Sequence, residues 1–96
     1  MQTTVIAEIA SNWEGSISKA KKIILASKKA GGNAVKFQMW RANDLYSKKH
    51  PQWKFIKKSE LTFKKAEKIK KYADEQNIEF FCSVFYPEGV DYLESL

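Results

Sequence analysis

Cysteine is almost absent from this chain of 96 residues, and Cys82 stands alone. A single thiol closes no internal disulfide, which fits a reducing compartment and makes the cytoplasm the expected location. Histidine is as scarce. His50, beside Pro51 in a polar stretch, is the only one, and a lone loop imidazole is normally solvated. No His-Glu-x-x-His pattern, Cys/His cluster or zinc spacing occurs. The adjacent glycines Gly31-Gly32 follow a helical pattern instead of opening one, so they do not cradle a dinucleotide phosphate. No apolar run approaches the roughly 20 residues that span a bilayer. The start lacks the basic-then-apolar pattern of a signal peptide.

Hydrophobic residues make up 44% of the chain and aromatics 14%, enough to exclude disorder by composition and to build a core. Seventeen basic residues against eleven acidic give a net charge of +6, and ten lysines fall between Lys48 and Lys71. Such a block suits an acidic partner, nucleic acid or a phosphorylated ligand. No RNA-recognition signature accompanies it, and Trp40, Trp53 and Phe55 form no stacking series. A solvated helix face is the simpler reading, and nucleic acid is not the expected partner. No membrane partner is expected.

Two short apolar runs organise the chain, Val5 to Ala10 and Val35 to Gln38. Each sets strongly polar residues inside an apolar stretch, as strands covered on both faces do where a sheet opens onto a ligand. Residues 3–10 are expected as a strand with Glu8 on one face and Val5, Ala7 and Ile9 on the other. A turn-rich stretch, residues 11–15, leads to a helix capped by Ser16 or Ser18. Ala20, Ile23, Ile24 and Ala30 form its apolar stripe, Lys28 and Lys29 suit its last turn, and Gly31-Gly32 ends it. Residues 33–39 are the second strand, with Ala34, Lys36 and Gln38 sharing a face. Strand, helix and strand make a right-handed βαβ unit.

Residues 40–52 read as loop and 53–59 as a short helix. Thr62 is the expected cap of a second long helix, residues 63–76, whose stripe is Ala66, Ile69 and Ala73, and Asn77 suits its stop. Residues 78–84 are the third strand, with Phe80 and Cys82 opposed to Phe81 and Ser83. Cys82 is thereby assigned to the core. Pro87 opens a last helix with Val90, Leu93 and Leu96 on its apolar side. The whole is α/β with a parallel sheet. A full eight-stranded barrel takes roughly 250 residues, so this length fits either a small open α/β domain or the first portion of a barrel.

Glu8, Lys36, Gln38 and Ser83 fall near the carboxyl ends of these strands, the rim where barrel enzymes do chemistry. A lysine there holds a phosphate or carboxylate as a point charge. A glutamate accepts a proton from a sugar hydroxyl or acts as a base. The competing reading is a structural Glu8–Lys36 ion pair that fills the interior. Asn12, in the first loop, reaches a ligand or makes a local turn.

Three blocks resemble one known family. Ile6-Ala7-Glu8-Ile9-Ala10-Ser11-Asn12-Trp13-Glu14-Gly15 is similar to the opening "IAEIG-NHNG" motif of sialic acid synthases of the NeuB type. Ala30-Gly31-Gly32-Asn33-Ala34-Val35-Lys36-Phe37-Gln38 is similar to their "AGADAVKFQT" strand. Glu79-Phe80-Phe81-Cys82-Ser83-Val84-Phe85, then Val90-Asp91-Tyr92-Leu93, is similar to "EFLSTPF…VDFL". Trp13 stands in place of a histidine, Met39 of a threonine, and Cys82-Ser83-Val84 of Ser-Thr-Pro.

The resemblance implies the N-terminal part of a (β/α)8 TIM barrel, its first three strands with their helices, over residues 1–96 with no second domain. It implies a transferase that condenses phosphoenolpyruvate with an N-acetylmannosamine-type sugar in carbohydrate biosynthesis. Glu8 would lie near the acceptor sugar, Lys36 would bind phosphoenolpyruvate, and Ser83, Gln38 and Asn12 would complete the substrate contacts. A divalent metal, Mn2+ or Mg2+, is expected only in a complete barrel and not on this chain. The family's metal-binding histidines, second lysine and C-terminal domain come later than these residues, so the expectation is a fragment or truncated homologue, inactive alone. Two other expectations stand beside it: a non-enzymatic module using the Lys48–Lys71 face, and a partial barrel that assembles with itself or with a missing half across open strand edges.

Overall fold

The computed structural model describes residues 3–96. In chain order it contains β1 (Ile6–Ala10), α1 (Ile17–Lys29), β2 (Ala34–Met39), α2 (Ala42–Leu45), α3 (Trp53–Ser59), α4 (Phe63–Glu75), β3 (Glu79–Val84) and α5 (Pro87–Ser95). The three strands form one sheet in the order β1-β2-β3. Both pairings are parallel, with Glu8 opposite Lys36, Lys36 opposite Phe81 and Gln38 opposite Ser83.

Local chemistry sets most boundaries. The Ser16 hydroxyl accepts from the Lys19 amide at the start of α1, and Thr62 does the same for Lys65 at α4. Each satisfies an amide that the first helical turn leaves unpaired. Gly31 (φ 91°) and Asn77 (φ 54°) take the left-handed conformation that turns the chain out of α1 and α4. Pro87 lies in the first turn of α5, where its missing N–H costs no helix bond.

The helices cover one face of the sheet. Ile9, Val35, Phe37 and Met39 pack with Ala20 and Ile24 of α1 and with Ala66, Ile69 and Ala73 of α4, while Phe80, Cys82 and Val84 close the cluster. Trp13 from the first loop is fully buried in the same core, edge-on to Phe37 with ring centroids 6.1 Å apart. Its indole Nε1 has no hydrogen-bond partner among the described residues.

Several expectations need correction. β1 begins at Ile6 and not at residue 3, because its register against β2 starts at the Ile6–Ala34 pair. β3 begins at Glu79, since the Ile78 amide still bonds the Ala73 carbonyl at the end of α4. Ala30 is exposed at the C-cap of α1 and contributes nothing to the stripe. Val90 and Leu96 are exposed, and α5 packs instead through buried Gly89 with half-buried Tyr92 and Leu93. The stretch expected as loop between Trp40 and Gln52 contains α2. Its first amide, Ala42 N, donates to Glu60 Oε1 at 2.7 Å. A cap supplied from 18 residues away leaves no local sequence signal.

Candidate active-site rim

The face that the helices do not cover carries the candidate chemistry. Parallel register puts Ile6, Glu8, Lys36, Phe81, Gln38 and Ser83 on this side, because cross-strand partners share a face. Glu8 Oε2 lies 3.7 Å from Lys36 Nζ. The Glu8 side chain is 54% exposed and that of Lys36 39%, so the pair is solvated. Ile6 and Phe81, 50% and 45% exposed, flank it with uncovered apolar surface.

Gln38 and Ser83 face each other two residues nearer the strand ends, roughly 6–7 Å along the sheet from Lys36 and Phe81. Both are half-buried. Asn12 is exposed on the turn after β1, with its amide bonded to the Ile9 carbonyl. Just before it the sheet breaks register. Between Glu8 and Ala10 the pairing shifts, and Ala10 takes φ 52°. This bulge turns the chain off the sheet immediately after Glu8. Glu8, Lys36, Gln38 and Ser83 thus share one face, and Asn12 sits beyond its rim.

Other expected roles resolve simply. His50 is exposed, its Nδ1 accepts from the Gln52 amide, and Tyr46 packs edge-on against its ring. Among the described residues no three His, Cys, Asp or Glu side chains gather as a metal site requires. Cys82 faces the helices, and burial pushes its thiol up to about 12, so it is no nucleophile near neutral pH. Of the described residues, no helix is long and apolar enough to cross a membrane.

Two features escaped the sequence reading. Arg41, following β2, is held by Asp44 at 2.8 Å and lies 4.1 Å from the ring centre of Tyr86. Its guanidinium pKa is raised chiefly by the hydrogen bond to Asp44. A cavity of about 280 Å3 also opens beside Gln38, between α2, α3 and the rim. It does not extend to Glu8 or Lys36. A larger groove, about 480 Å3, follows the free edge of β3 away from the polar cluster. Its size carries less weight than the position of the smaller one.

The family model for NeuB matches residues 23–96. The chain belongs to the NeuB family. It is 32% identical over 94 residues to an uncharacterized protein of Methanocaldococcus jannaschii, covering 98% of this chain and 28% of that protein. It is 29% identical over 110 aligned positions to an N,N'-diacetyllegionaminic acid synthase of Legionella pneumophila, covering all of this chain and 31% of that enzyme. The fold superposes on a sialic acid synthetase from Leptospira borgpetersenii with a TM-score of 0.88 at 24% identity, over 99% of this chain and 33% of the other. This NeuB-family chain therefore spans about a third of the length of the relatives it matches. Its parallel sheet with helices on one side is a partial (β/α)8 barrel.

The departures from the NeuB motifs follow a pattern. Trp13 and Met39 are fully buried, and Cys82 and Val84 pack against the same core. A Cβ added to Gly89 would lie 2.6 Å from Val84 Cγ1 and 3.2 Å from Met39 Sδ. Two of the changed side chains thus meet over one glycine of α5. Most of the changes fall on the helix-covered side; on the open side Glu8, Lys36 and Gln38 keep the motif, and Ser83 stands there where the motif has a threonine.

Proposed function

We propose that this chain forms the part of a NeuB-type synthase that holds the anionic end of phosphoenolpyruvate and a hydroxyl of an N-acetylmannosamine-type acceptor. The observation that carries the reading is the Glu8–Lys36 pair on the uncovered face, one step below Gln38 and Ser83. A lysine 39% exposed, with one carboxylate at 3.7 Å, keeps donors free for a phosphate or carboxylate oxygen. Glu8 then accepts a proton or hydrogen bond from the sugar. The Ser83 hydroxyl and Gln38 amide supply neutral hydrogen bonds to the same ligands.

The complete reaction forms a bond between carbon 3 of phosphoenolpyruvate and the aldehyde carbon of the sugar. Water adds at carbon 2, and inorganic phosphate leaves as its bond to carbon 2 breaks. The described residues lack a metal-ligand cluster, and a third of the relatives' length is no complete barrel. Residues 1–96 are therefore read as the N-terminal portion of that barrel, inactive by themselves. Within the lysine block Lys57 pairs with Glu60 at the C-cap of α3 and Lys70 with Asp74 inside α4.

The test combines the chain with the remaining barrel strands of a family member, phosphoenolpyruvate, Mn2+ and the sugar, and measures phosphate release. Release is expected, and Lys36→Ala and Glu8→Ala should each abolish it. Full activity in either variant, or product from the isolated chain, would overturn the assignment.

A further inference from the structure

Past the Met39–Val84 pair, β2 and β3 are joined once more, by the Phe85 amide donating to the Met39 carbonyl at 3.0 Å. The two chains then part, one into α2 and the other into α5. Ser83 sits one pair before the end of this ladder, so the parting sets where its hydroxyl stands. The last bonds of a ladder open locally unless something beyond them holds the chains together.

Arg41 crosses this gap. It is the N-cap residue of α2, yet its side chain does not cap the helix, because Glu60 Oε1 takes the Ala42 amide instead. The guanidinium lies 4.1 Å from the ring centre of Tyr86, the N-cap residue of α5. Its Nε donates to Asp44 Oδ2 at 2.8 Å, and its Nη2 is 3.8 Å from Glu88 Oε2 of α5. A planar cation bonded along its edge and laid on a ring has one orientation. The ring beneath it is fixed. Tyr86 is buried and stacks on Phe63 with centroids 6.4 Å apart, and Phe63 stacks on Tyr92 at 4.0 Å. On the other side of β2 the Trp40 indole donates to the Ser11 hydroxyl at 3.3 Å. Adjacent residues therefore tie the exit of β2 to the exits of both neighbouring strands. The side chains of Arg41, Asp44 and Glu88 reach solvent, and ion pairs in water add little to stability. The arrangement serves orientation more than strength.

We propose that Arg41 is a positioning residue: through the Tyr86 ring it fixes the exits of β2 and β3, so that the Ser83 hydroxyl and the Lys36 ammonium meet the anionic end of one ligand together. The inference rests on the proposed function and adds a residue that acts through others. A displacement of about 1 Å in such a site costs on the order of a hundredfold in rate.

The test titrates the isotope-labelled chain with phosphoenolpyruvate by NMR and reads amide hydrogen exchange in the same samples. Arg41→Gln should weaken the phosphoenolpyruvate response at Lys36 and Ser83 about tenfold and speed exchange of the Phe85 amide by about as much, with the amide of buried Ile69 in α4 unchanged. Tyr86→Leu should do the same, and the double variant should be no worse than either single one. Equal acceleration at Ile69 would make Arg41 a general stabiliser. A weakened response with Phe85 exchange unchanged would make it a direct ligand. Each of these, like an unaltered response, overturns the proposal. If the unsubstituted chain shows no phosphoenolpyruvate response near Lys36, the proposed function falls, and Phe85 exchange alone then decides whether Arg41 holds the strand exits.

Discussion

Removing the charges of Glu8 and Lys36 should hardly change the stability of this chain. At 3.7 Å, two unit charges attract by about 1.1 kcal/mol in bulk water. Side chains 54% and 39% exposed lie near that limit. Ordering them has an entropic cost, and physiological salt weakens the attraction further. A double-mutant cycle of Glu8→Gln, Lys36→Met and the double variant, measured by urea denaturation, should give a coupling of roughly 0–1 kcal/mol that shrinks as salt rises. The same variants should lose ligand binding or, in a completed barrel, phosphate release. Small coupling with large functional loss is the signature of a pair kept for ligands. A coupling above about 3 kcal/mol, insensitive to salt, would show a desolvated structural pair and would refute the reasoning from the open face.

Two further outcomes test the scaffold. At Gly15 (φ 77°), an added Cβ would lie 1.9 Å from the Lys58 backbone carbonyl oxygen. Gly15→Ala should therefore lower stability by about 2–5 kcal/mol, from left-handed strain plus a forced shift of the first loop against the end of α3; an unchanged urea midpoint would contradict that packing. Burial holds the Cys82 thiol up to about 12 against an ordinary value of 9.0. The folded state then keeps a proton that the unfolded state loses above pH 9, so this group's contribution falls as pH rises from there toward 12. Native chain should resist alkylation at pH 8, and unfolded chain should react readily. Equal rates in both states would count against the burial.

The site was legible to the extent that it follows from strand periodicity. Alternation places Glu8, Lys36 and Gln38 by counting in twos, and parallel strands align their tips, so one polar face followed from residues a few positions apart. The motif resemblance added roles that periodicity cannot supply. What escaped depended on contacts between distant segments: the Glu60 cap on α2, the register break at Ala10 and the gathering of Leu45, Tyr46, Phe55 and Phe85. Each of those four side chains looks alone like an ordinary exposed hydrophobe, which carries no signal.

The amino-acid order by itself determined the strand–helix alternation, a serine cap at residue 16 or 18 of which the structure uses Ser16, the cap at Thr62, the left-handed stop at Asn77 and the polar face of the sheet. These are short-range properties of backbone sterics and side-chain alternation. Only the tertiary structure decided that Glu8 and Lys36 meet as a solvated pair, that Trp13 and Met39 serve packing, and that an apolar cavity opens beside Gln38. Those outcomes depend on how elements pack across the sheet and on which face no helix covers, and neither is written in any local stretch.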